Sequence, residues 1–88
     1  MVIRKENKMN NTQIKRFQDI ILKYWQNHDG FERQYKESNK KEYLVACLNI
    51  LDEIDCFDFA LSILGYQYNR ILGKTGETID IKIRKKVL

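Results

Sequence analysis

The sequence predicts an α+β fold of three helices followed by a C-terminal β-hairpin. Three observations carry that expectation. Apolar residues recur at helical spacing from Ile14 to Trp25, and a second apolar run fills residues 43–51. Residues 78–88 then alternate Ile79, Ile81 and Ile83 with Asp80, Lys82 and Arg84, which makes a strand with one apolar and one charged face. A strand needs partners for its backbone groups. The alternative architecture is a mainly α chain whose single C-terminal strand pairs with a second copy to form a homodimer.

The first helix has a clear start. Asn10 and Gln13 are spaced as a capping box, and Met9 and Ile14 as a hydrophobic staple. Ile14, Phe17, Ile20, Ile21, Tyr24 and Trp25 form one wide apolar face. The run 27–30, Asn-His-Asp-Gly, reads as its end, with Gly30 in the left-handed position after the last turn. Residues 31–37 alternate as in a short strand, with a loop as the competing assignment.

The second helix opens at Ser38 and Asn39, where Asn39 and Glu42 make another capping-box pair. Its body is apolar on almost every side and is expected at the centre of the core. Asp52 and Glu53 then fall where a helix dipole favours cations, so a break is expected there. Asp55 and Asp58 suit the first turn of a third helix, with Ile54 stapled to Phe59. Phe57, Ala60, Leu61 and Leu64 would face inward, and Gly65 would end the helix.

Residues 66–72 suit a strand joined to the C-terminal strand by a five-residue loop at 73–77, with a continued helix as the alternative. The order helix, short strand, helix, helix, hairpin resembles the winged helix-turn-helix layout. The resemblance is one of element order and rests on no motif.

Composition narrows the functional classes. The chain has 88 residues, 43% hydrophobic and 32% charged, which describes one folded domain. Residues 1–9 are expected to be a flexible basic arm and residues 10–88 a single small domain. The first ten residues contain no apolar stretch of the kind a secretory signal carries, so the cytoplasm is the expected compartment. No apolar run is long enough for a membrane span. Cys47 and Cys56 are expected to be reduced there, as buried small hydrophobes.

Familiar chemical motifs are missing. Residues 72–75, Leu-Gly-Lys-Thr, echo the end of a phosphate-binding loop, but Tyr68 stands where the first glycine belongs. His28 is the one histidine, and with two cysteines it supplies too few ligands for zinc. No nucleophile–base pair is apparent, so no catalytic residue, cofactor or metal is expected, and the protein is not expected to be an enzyme.

The net charge is +4, distributed unevenly. Residues 1–41 hold ten basic side chains against five acids, and residues 70–88 hold six against two. Residues 42–69 hold five acids and no Lys or Arg. The predicted third helix therefore lacks the Arg, Lys, Asn or Gln that reads base edges. Any nucleic-acid contact would come from Arg70, Lys74, Lys82, Arg84, Lys85 and Lys86, aided by Arg4, Lys5 and Lys8. It would be directed at phosphates.

The favoured expectation is a small protein that binds another protein. Asp52, Glu53, Asp55 and Asp58 would be its electrostatic determinants, and Phe59 and Ile63 its apolar anchors. Heavy use of Lys, Ile and Asn without proline suggests an AT-rich genome. With the small size, this favours a phage or mobile-element accessory protein that inhibits a host factor, in the manner of anti-restriction or anti-CRISPR proteins.

Overall fold

A computed structural model describes residues 8–86. Two long helices, α1 (Asn11–Ser38) and α2 (Lys41–Ile63), are followed by strands β1 (Tyr66–Leu72) and β2 (Thr78–Lys85). The helices form an antiparallel pair, and the strands form a two-stranded antiparallel hairpin packed beside it. The molecule is elongated, 54 × 27 × 23 Å. The hairpin matches expectation. The three-helix count does not, and with it goes the winged-helix element order.

Two boundaries account for the difference. Helix α1 begins at the Asn10–Gln13 capping box, both of whose hydrogen bonds are made. It does not stop at Gly30. Phe31 and Tyr35 continue the apolar stripe by one further turn each, and Phe31 stacks on Tyr43 of α2 with centroids 6.2 Å apart. That packing outweighs the roughly 1 kcal/mol that a mid-helix glycine costs. The residue that ends the helix is Asn39, in the left-handed conformation at φ 59° with its N–H on the Tyr35 carbonyl at 2.7 Å. Asn39 therefore terminates α1 and does not cap α2, which starts at Lys41 after Lys40, an N-cap that makes no side-chain hydrogen bond.

The expected break at residues 52–55 is likewise absent. Cys47, Ile54 and Leu61, seven residues apart in turn, are all buried, and Phe57 meets Phe17 and Tyr24 of α1 edge-on. Only an unbroken helix holds those side chains in one line against α1. Cys56, expected inside, falls off that line and is exposed. Exposed mid-helix acids cost tenths of a kcal/mol, whereas burying one Ile or Leu side chain is worth about 1.5–3 kcal/mol. Packing wins.

The core joins the layers through Ile21 of α1, Leu61 of α2, Tyr66 of β1 and Ile81 of β2. Gly65, at φ 85°, turns the chain from α2 into β1. The hairpin loop closes through Gly73 N–H to the Glu77 carbonyl at 2.8 Å, with Gly76 at φ 87°. Pairing runs from Tyr66 opposite Lys85 to Ile71 opposite Asp80, then slips so that Leu72 faces Thr78. The slip leaves Ile79 unmatched. Ile79 is therefore 52% exposed while Thr78 and Ile81 are buried, and the expected Ile79–Ile81–Ile83 face is interrupted at its first member.

Candidate partner-binding surface

A polar cluster anchors the hairpin to α1 and fixes what β1 can present. Asp29 accepts the Thr78 backbone N–H at 2.7 Å and lies 3.5 Å from Arg70 Nη2 and 3.2 Å from His28 Nδ1. The Arg70 guanidinium donates to Thr78 Oγ1 at 2.9 and 3.1 Å and sits over the Trp25 ring, 3.7 Å from its centroid. Burial alone would raise the Asp29 pKa. The hydrogen bonds from Thr78 and His28 and the charge of Arg70 outweigh it, and the carboxyl lies below its ordinary value. The Trp25 indole N–H donates to Tyr68 Oη at 3.0 Å. Burial, first, and the nearby Asp58 push the Tyr68 phenol up to about 12.

His28, Asp29 and Glu32 place three metal-type donor atoms within 4.8 Å of one another. Their chemistry does not suit a cation. One Asp29 oxygen already takes the Thr78 N–H, and Arg70 puts a positive charge against the other. Arg70, expected as a phosphate contact, is thus committed inward.

The remaining basic positions do not converge. Lys82 and Arg84 stand opposite Asn69 and Gln67 on the outer face of the hairpin. Lys74 lies in the loop at the far end, and Lys85 is at the end of β2. Lys86 donates to Ser62 Oγ beside the end of α2 at 2.6 Å. Lys8 is exposed, whereas Arg4 and Lys5 lie outside the described residues.

Of the five acids of α2, the four expected as partner contacts divide among three faces. Glu53 lies against Tyr24 of α1, whose phenol it raises by hydrogen bonding and charge. Asp58 faces Tyr68 on β1. Burial pushes its carboxyl up, while the hydrogen bond from Tyr68 opposes that rise. Asp52 and Asp55 alone share the outward face with Phe59 and Ile63, which are each 69% exposed.

That outward face extends further than expected. Leu44, Leu48, Asp52, Asp55, Phe59 and Ile63 follow at intervals of four, four, three, four and four residues, one continuous stripe of a helix. Leu44, Val45 and Leu48, expected in the core, are 39–54% exposed. Their signal was the helix's apolar character on every side, since a two-layer fold covers only part of it. Among the described residues, neither Asp52 nor Asp55 has an ion-pair partner, and α2 carries no cation after Lys41.

No protein-family model, curated protein or solved structure matches the chain. Among the described residues, no helix is long and apolar enough to cross a membrane.

Proposed function

We propose that this chain is a non-enzymatic binding protein that docks another protein on the outward face of α2. The observation that carries the reading is the uncovered stripe itself, two apolar halves, Leu44–Val45–Leu48 and Phe59–Ile63, around Asp52 and Asp55, which have no ion-pair partner among the described residues. The apolar exposure is on the order of 500 Å², near the top of what monomers leave open. A surface that complements it carries Lys or Arg at its centre and apolar side chains on either side.

A second copy complements it poorly. Antiparallel self-pairing would set Leu44 against Ile63 and Leu48 against Phe59, but also Asp52 against Asp55 of the second copy. Four carboxylates would meet at the centre, so a different protein is the better fit. A protein whose main asset is a docking face acts by occupying its partner's surface. Inhibition of a host factor, in the manner of anti-restriction or anti-CRISPR proteins, is the role we propose on size and composition.

The test is capture from the native host with wild-type protein, with Asp52→Lys/Asp55→Lys, and with a control altered on α1, Lys15→Glu. The reading requires one protein held by wild type and control and lost by the α2 variant. A partner held equally by all three would place binding elsewhere.

A further inference from the structure

We infer that the outer edge of β1 takes an extended, lysine- or arginine-bearing segment of a partner protein as a third strand. This goes beyond the docking face of α2 and rests on different atoms. The hydrogen bond from Lys86 N–H to the Gly65 carbonyl, 2.9 Å, extends the ladder one step past Tyr66 and Lys85. Bonded pairs alternate in an antiparallel hairpin, so Gln67, Asn69 and Ile71 bond across to β2. The N–H and C=O groups of Tyr68 and Arg70 therefore point outward from β1, and those of Ile81 and Ile83 outward from β2.

The two edges are treated differently. On β2, Gln18 of α1 donates to the Ile81 carbonyl at 2.7 Å and Gln26 to the Thr78 carbonyl at 3.3 Å. Asp29 takes the Thr78 N–H, and the Ile81 N–H is satisfied by Asp80 Oδ1 at 2.8 Å. Helix α1 thus closes the C-terminal strand from Thr78 to Ile81, and no described residue engages the outward groups of Ile83 beyond it. On β1, no described residue engages the outward backbone groups of Tyr68 or Arg70. Nor does β1 carry the proline or lysine that commonly protects an edge.

A groove of about 450 Å³ runs beside this open edge. Asp58, Leu61 and Ser62 of α2 form one wall and Tyr66, Gln67, Tyr68 and Arg70 the other, with Lys86 at the Ser62 end. Outward donors and acceptors that recur every second residue are met by a strand and not by a helix. Charge selects the strand's side chains. Asp58 has no ion-pair partner among the described residues, and Arg70 is already neutralised by Asp29. Lys86 is held at the other end by Ser62, so a Lys or Arg of the segment is favoured opposite Asp58 and not beside Ser62. A second copy of β1 would offer Asp58 no free cation, because its one basic residue, Arg70, is already paired with Asp29, so the segment belongs to another protein.

The probe is an end-blocked nine-residue peptide alternating valine and lysine, read by amide exchange and by titration. Expected is protection of the Tyr68 and Arg70 amides by about tenfold or more on binding, with Asn69 protected beforehand. Replacing lysine with glutamate, or N-methylating the residues that face the edge, should weaken binding about tenfold or more. Asp58→Asn should weaken it several-fold at unchanged melting temperature. Phe59→Ser/Ile63→Ser should leave peptide binding intact, which separates this site from the α2 docking face. Equal binding of the N-methylated peptide, unchanged Tyr68 and Arg70 exchange, or no binding at millimolar peptide would each overturn the inference.

Discussion

The Asp29 carboxylate accepts the backbone N–H of Thr78 at 2.7 Å, and that bond ties the start of β2 to α1 across 49 residues of sequence. Arg70 completes the arrangement from β1, held between Asp29, the Thr78 hydroxyl and the Trp25 ring. Strand and helix are joined by charge-assisted hydrogen bonds at the point where the hairpin would otherwise peel away. The slip that exposes Ile79 lies immediately beyond Thr78.

Asp29→Asn should lower stability by about 2 kcal/mol at neutral pH, because it leaves Arg70 without its counter-charge. The pH dependence has a definite sign. The folded carboxyl lies below its ordinary value near 3.8, so the unfolded chain binds the proton more readily. The Asp29 contribution is therefore present above that value and lost as pH falls through the folded pKa. Urea unfolding of both proteins between neutral pH and pH 3 should show the gap narrowing on the acid side. A gap independent of pH would mean that the carboxylate's charge is not what stabilises the tie.

Gly30→Ala distinguishes a helix interior from a helix end. In the left-handed position an alanine would be strained, and the protein would lose stability. Within α1 nothing lies within 4 Å of the added Cβ, so the substitution should stabilise by about 0.5–1 kcal/mol. Thermal unfolding should rise by a few degrees, on the scale of about 4–8 °C per kcal/mol for a chain of this size.

Ile81→Ala should cost about 2–5 kcal/mol, as expected for a fully buried residue of the core that joins α1, α2 and β1. Ile79→Ala should cost less than about 0.5 kcal/mol, because the slip turns that side chain out. Paired chemical denaturation measures the difference. Equal costs would place both isoleucines on the inner face and contradict the observed pairing.

The elements legible in the sequence are those whose causes are local. Asn10 and Gln13 satisfy each other three residues apart, and Gly73 to Glu77 close a hairpin whose strands flank them directly. Where local and distant signals compete, the distant one prevailed. Gly30 looks like a terminus until Phe31 finds Tyr43, and residues 52–55 look like a break until Ile54 and Leu61 are buried together. The same holds for the surface. The charge of Arg70 is plain in the sequence, but its inward orientation depends on Trp25 and Asp29, 45 and 41 residues away. The exposed half of α2 was hidden because an apolar run does not say how many of its sides the fold will cover.

That uncovered side yields the sharpest separation of stability from function. Phe59→Ser/Ile63→Ser removes two side chains that are 69% exposed and absent from the core. Folding stability should change by less than about 1 kcal/mol, since surface substitutions away from caps and ion pairs usually stay within about 0.5 kcal/mol each. Phe57→Ala, two residues from Phe59 but packed against Phe17 and Tyr24, should instead cost about 2–4 kcal/mol. Thermal unfolding of the three proteins, beside capture of the docking partner, reads both quantities. The double variant should keep its melting temperature and lose the partner. If it melts early, Phe59 and Ile63 belong to the core; if it melts normally and still holds the partner, the outward face of α2 is not the docking surface.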